Sequence, residues 1–255
     1  MSTLLGVGRY LEVAQVAGAR LLDLADEAGE DTKVPSCPAW TVRALVAHQA
    51  MVHRWATATV NGTNPRDERN QTDIRKNVED LRGFFEEGLA FLVDAIREAP
   101  EDLKVDTFLR NAPSPREFWA RRQAHETTLH SIDALSAVLG RVPSSDEAAV
   151  SLDVATDGID ELLRGFYTRG KSGLFDGERY DIAVTPDDVD RTWLVHVDHS
   201  LTVTENGAAD GAAVVISGSA AQIHLGLWNR GDELHVAGRT EVLDRWRETQ
   251  QIRWG

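Results

Sequence analysis

From Phe118 to Leu139 the chain has neither proline nor glycine, so this segment is free to run as one helix. Within it stands Arg121-Arg122-Gln123-Ala124-His125-Glu126-Thr127-Thr128-Leu129-His130-Ser131-Ile132-Asp133-Ala134. At about 3.6 residues per turn, Glu126 and His130 lie one turn apart on the same side. Asp133 continues that line, and Arg122 and Trp119 extend it backwards. Phe118, Leu129, Ile132 and Leu139 form an apolar line beside it. A carboxylate and an imidazole at the edge of a core stripe are costly to bury without a partner, and a metal ion satisfies both. A third ligand-type residue comes from Pro38-Ala39-Trp40-Thr41-Val42-Arg43-Ala44-Leu45-Val46-Ala47-His48, where another helix begins. Leu45, His48, Val52 and Trp55 follow the spacing of a core stripe, so His48 is expected to point inward.

Two imidazoles and one carboxylate suit zinc or a similar divalent ion with a coordination position left open. An open position admits water or a thiol, and a cation stabilises the thiolate. The same spacing has a plainer reading: Glu126 pairs with Arg122 one turn back as a surface salt bridge, and His48 is a hydrogen-bonded core histidine. Asp133 either accepts the second ring N–H of His130 or binds a cosubstrate, or it is a helix-surface carboxylate. Arg122 either holds a substrate carboxylate or pairs with Glu126 or Glu117. His53 and His125 are each turned about 140° from a ligand position and are read as non-ligands. Cys37 precedes a helix, a place that lowers a thiol pKa, or it packs as a turn residue.

The chain of 255 residues has room for one large domain or two modest ones. Its formal charge of −14 argues against nucleic acid and anionic membrane as partners, since both require a basic face. The single cysteine allows no internal disulfide and points to a reducing cytosol. Leu4, Leu5, Leu11, Ala14, Leu21 and Leu22 are interleaved with Arg9, Glu12 and Arg20, which makes an amphipathic helix and not a signal peptide. No run approaches the roughly 20 apolar residues of a membrane span.

Four helices are expected in the first half: Thr3 to Ala28, the segment after Val34-Pro35-Ser36-Cys37-Pro38 to about Val60, Asp73 to Glu98, and the segment after Asn111-Ala112-Pro113-Ser114-Pro115 to Gly140. Val78, Leu81, Phe85, Leu89, Leu92 and Ile96 keep the three-four rhythm of a bundle helix. A four-helix bundle over residues 1–141 follows. A further helix is expected from Asp146 to Tyr167. Short alternating runs then begin at Thr192: 192–197, 200–204 and 212–216, with turns at Asn206-Gly207 and Asp210-Gly211. Gly218 to Asn229 reads as a helix, 234–236 as a strand and Glu241 to Gln250 as a closing helix. Residues 146–255 are thus a small α+β domain, and the chain is a two-domain α+β protein.

Val34-Pro35-Ser36-Cys37-Pro38-Ala39-Trp40-Thr41-Val42, with Leu45-Val46-Ala47-His48 after it, resembles the first signature of the mycothiol-dependent maleylpyruvate isomerase family, whose N-terminal domain is a DinB-like four-helix bundle. His125-Glu126-Thr127-Thr128-Leu129-His130-Ser131-Ile132-Asp133-Ala134 resembles the second. Ile216-Ser217-Gly218-Ser219-Ala220-Ala221, Leu225-Gly226-Leu227-Trp228-Asn229-Arg230 and Val236-Ala237-Gly238 resemble its C-terminal domain. The resemblance implies a divalent metal, usually zinc, held by His48, Glu126 and His130, and mycothiol as thiol cosubstrate. The second domain is expected to cover the cleft and set specificity. Arg230 then either closes that cleft with a guanidinium fork, as a catalytic residue, or is a surface arginine at a helix C-terminus. The expected function is a metal-dependent S-transferase or isomerase acting with a low-molecular-weight thiol on a small electrophile, as a monomer or homodimer. The alternatives are a non-catalytic metal-binding or regulatory module and a metal-dependent hydrolase.

Overall fold

The computed structural model describes residues 4–109, 111–207 and 209–250. They fall into two compact units, one reaching to Phe108 and resuming over Ala112–Pro143, the other made of Leu109–Asn111 and the chain from Ser144 onward.

The first unit is helical: α1 (Val7–Ala28), α2 (Val42–Val60), α3 (Gln71–Asn77), α4 (Leu81–Glu98) and α5 (Pro115–Leu139). α5 packs mainly on α1 and also on α2, while α4 packs on α2 and α1, which closes a four-helix bundle. Of the long helices, α2, α4 and α5 start at a side-chain cap, while α1 begins after Gly6 without one. The Thr41 hydroxyl accepts from the Ala44 N–H, and Ser114 and Glu117 form a reciprocal capping box with Pro115 in the first turn. Gly140, at φ 67°, ends α5 in the left-handed conformation that glycine adopts without penalty. Leu21, Leu45, Phe85, Leu92, Ile96 and Ile132 are fully buried and form the core. Leu139, expected on the apolar side of α5, is instead 37 % exposed because it lies in the last turn.

The single helix expected from Asp73 to Glu98 is two helices. Val78 is extended (φ −93°, ψ 113°), and Asp80 restarts the chain by accepting from the Gly83 N–H. Arg43 of α2 explains the break, since its Nε donates to the Arg75 carbonyl (2.7 Å) and its Nη2 to the Val78 carbonyl (2.6 Å). A continuous helix would give those carbonyls to its own N–H groups.

The second unit contains α6 (Ser145–Ala148), α7 (Leu152–Asp160), a π-helical turn (Glu161–Phe166), β1 (Tyr180–Pro186), β2 (Trp193–Val197), β3 (Leu201–Glu205), β4 (Val214–Gly218), α8 (Ala220–Leu227), β5 (His235–Gly238) and α9 (Glu241–Thr249). The sheet order is β3-β2-β1-β4-β5, with β1 and β4 parallel and the other neighbours antiparallel. Sequence patterning did not reveal the central strand, β1. Its alternation is short and is broken at Ala183, which is fully buried together with Ile182 and Val184. The helix expected from Asp146 to Tyr167 breaks at Ala149, which takes a left-handed φ of 53°, and resumes at Leu152. α8 packs on α7 so closely that a Cβ on Gly158 would stand 2.3 Å from Cε1 of His224. No helix among the described residues is long and apolar enough to cross a membrane.

Candidate metal centre

α2 supplies His48 and α5 supplies Glu126 and His130, all three buried. One ligand atom from each lies within 4.8 Å of the others. His48 Nε2 is 3.5 Å and His130 Nε2 is 3.3 Å from the same oxygen, Glu126 Oε1. Donors at roughly 2.1 Å from a tetrahedral ion stand about 3.4 Å apart, so these spacings suit a small divalent cation. The two imidazole rings are nearly perpendicular (78°), with centroids 5.0 Å apart. His48 Nε2 is buried and has no hydrogen-bond partner, an arrangement that a cation relieves. The donor set therefore fits the implied metal.

The remaining atoms of these groups are held from behind. Arg122 Nη2 donates to Glu126 Oε2 at 3.0 Å, leaving Oε1 turned toward the histidines. This is the Arg122–Glu126 pairing of the plainer reading, but it is buried and not on the surface. Glu117, the other partner considered for Arg122, is taken by the α5 capping box. His130 Nδ1 pairs with Asp133 Oδ2 at 2.9 Å, and Asp133 is itself fully buried. Ser36 Oγ donates to Asp133 Oδ1 at 2.6 Å, and Cys37 Sγ lies 3.6 Å from Asp133 Oδ2. The Trp40 ring packs on His48 (4.7 Å) and His130 (5.9 Å). The sequence reading missed Ser36 and Trp40 as parts of this centre. Their signal is that both stand in the stretch from Val34 to Val42, just before α2, that carries the first signature.

Burial sets the protonation of these groups against their partners. It pulls the His48 imidazole below its ordinary pKa. It would raise the Glu126 carboxyl, but contacts with His130 and His48 and the charge of Arg122 outweigh it and hold Glu126 well below the usual carboxylate range. It would lower His130, but Asp133 and Glu126 reverse the sign and raise it. The centre thus keeps a carboxylate ionised inside the bundle and ready for a cation.

His53 and His125 are buried but lie outside the ligand cluster. Arg230 belongs to the second unit, after α8, where its Nη1 donates to the Trp228 carbonyl at 3.0 Å. A separate cavity of about 430 Å³ in the helical unit is walled by Trp55, Phe108 and Trp119, with Lys104 and Asp106 at its lining, and none of the three ligand-type residues borders it.

The sequence matches the model of the mycothiol maleylpyruvate isomerase N-terminal domain over residues 11–135 and that of the MDMPI C-terminal domain over residues 153–245. In fold it is similar to the crystal structure of the mycothiol-dependent maleylpyruvate isomerase, with 19 % identity and a TM-score of 0.61 over 93 % of this chain and 96 % of that one. A mutant of the same enzyme gives 18 % identity and the same TM-score of 0.61, again over 93 % and 96 % of the two chains. Among curated proteins none matches the sequence. The paired domain models, which together take in most of its length, show that the chain belongs to the mycothiol-dependent maleylpyruvate isomerase family, a family of enzymes.

Proposed function

We propose that the protein is a zinc-dependent enzyme that uses mycothiol, as an S-transferase or isomerase on a small electrophilic substrate. The observation that carries this reading is the convergence of His48, Glu126 and His130 around one buried carboxylate oxygen, with His48 Nε2 lacking any other partner. When bound, the cation would supply the Lewis acidity that keeps a thiol ionised at neutral pH. The side chains do the rest. His48, Glu126 and His130 would hold the ion. Asp133 accepts a hydrogen bond from the His130 Nδ1–H and so directs Nε2 inward. Arg122 neutralises Glu126 from behind. Arg230 is assigned to the substrate or the thiol, as a fork for an anionic group.

The thiolate forms a bond to an electrophilic carbon. In a transferase the new carbon–sulfur bond replaces the bond to a leaving group, chloride in monochlorobimane, and the conjugate is the product; in an isomerase the thiolate adds to a double bond, the adduct rotates about the former double bond and expels the thiolate unchanged. We assign the metal-binding domain to residues 1–141 and the α+β domain to 146–255. A cytosolic setting, where a small thiol stays reduced, fits the chain's single cysteine.

Elemental analysis after zinc loading tests the ligands. Wild type should hold one ion per chain, and His48→Ala and His130→Ala should each lose it while keeping their helix content. Retention of zinc by both variants rejects the assignment. Conjugation of monochlorobimane, followed with mycothiol, with other small thiols and with none, tests the chemistry. Mycothiol should accelerate it most, and no acceleration by any thiol rejects the thiol-using reading.

A further inference from the structure

Gln49 directly follows His48 on α2, and Thr127 directly follows Glu126 on α5. Neither side chain reaches the ligand cluster; they meet each other. Gln49 Nε2 donates to Thr127 Oγ1 at 3.0 Å and is 2.9 Å from His53 Nε2, which is 3.1 Å from Thr127 Oγ1. The triangle is closed, and all three residues are fully buried. The His53 ring also stands edge-on to Phe85 of α4, with centroids 4.9 Å apart, so its orientation is fixed from a third helix.

Polar groups are costly to bury, and apolar side chains of the same size would fill this layer. Small side chains interlock two helices only weakly, and α2 and α5 bury Ala47, Ala50 and Ala124. Hydrogen bonds are directional and set a definite distance. A metal centre built from two helices requires such a distance, because its ligands must meet within a few tenths of an ångström.

We propose that Gln49, His53 and Thr127 are positioning residues that pin α2 against α5 at the level of the ligands, so that His48 meets Glu126 and His130 before any ion arrives. This inference rests on the metal-binding reading above.

The test measures zinc affinity by chelator competition on the full-length protein, with the visible absorption of the cobalt-substituted form as a second readout. Thr127→Val keeps the shape and removes the hydroxyl, and it should weaken zinc binding by about tenfold or more and alter the cobalt spectrum. Thr127→Ser retains the hydroxyl and should return both to within about twofold of wild type. Gln49→Met is the second variant, expected to behave as Thr127→Val if that one folds poorly. Ile96→Val, a core change elsewhere, should lower stability without moving zinc affinity. Wild-type affinity in Thr127→Val and Gln49→Met overturns the proposal, and so does equal weakening in Thr127→Val and Thr127→Ser. Failure of wild type to bind zinc rejects the metal reading itself, and the positioning role with it, an outcome distinct from the other two.

Discussion

At the scale of single residues, the helical unit concentrates ionisable groups where a small domain normally places hydrocarbon. Glu126 is the most demanding, a buried carboxylate held by Arg122 on one oxygen and facing two imidazoles with the other. Removing one partner of a buried ion pair leaves an uncompensated charge, at a cost of about 3–5 kcal/mol. Arg122→Leu should therefore lower the unfolding free energy of the metal-free protein by that order, and zinc should restore part of it by supplying positive charge to Glu126. Urea titrations with and without zinc measure both effects. His53 carries a different signature, since full burial pushes its pKa down to about 3. Between that value and the ordinary histidine value of about 6.5, the unfolded chain binds a proton that the folded chain refuses. Stability should thus fall as pH drops from 6.5 toward 3, by at most about 1.4 kcal/mol per pH unit for this group. His53→Gln should flatten the slope by up to one proton, measured as the pH dependence of urea unfolding in metal-free protein.

At the scale of elements, α5 departs most from an amphipathic helix. Arg121, Arg122, Gln123, His125, Thr128 and Ser131 are as buried as its apolar residues, so its burial does not follow a single stripe. That is why its apolar periodicity understates how central it is, while its Pro115 start and Gly140 end are clear from composition alone. α4 shows the opposite case. Its rhythm is legible, but its start is set by Asp80 and by the reach of Arg43 from α2, a tertiary contact. Asp80→Ala should cost about 1 kcal/mol as a lost N-cap. Gly18→Ala should cost about 1–3 kcal/mol, because a Cβ there would lie 2.5 Å from Leu89 Cδ2, where α1 meets α4. Thermal unfolding of the two variants ranks these costs, and a neutral Gly18→Ala would mean that α1 and α4 pack less closely than described.

At the scale of the whole molecule, each unit has its own core, one of bundle helices and one around a five-stranded sheet. A metal bound only by the folded helical unit stabilises it by mass action, by about 2.7 kcal/mol at one hundred times the dissociation constant. Zinc should therefore raise the thermal midpoint of wild type in a concentration-dependent way and leave that of a His48→Ala/His130→Ala double variant unchanged. Scanning calorimetry against zinc concentration checks this, and an equal rise in both proteins would place the ion elsewhere.

The sequence by itself determined the bundle and the side of each helix that His48, Glu126 and His130 occupy, because helical periodicity is local and caps are short-range chemistry. It also determined the sheet-containing character of the second half, though not β1, whose central place comes from its pairing with β2 on one side and β4 on the other. Only the tertiary structure decided that Ser36 and Trp40 border the centre, that Arg122 pairs with Glu126 inside the bundle, and that Gln49, His53 and Thr127 close a triangle. The reason is physical: a residue's face on its own helix follows from the backbone repeat, but the group it meets across a helix interface follows from how two independent surfaces pack.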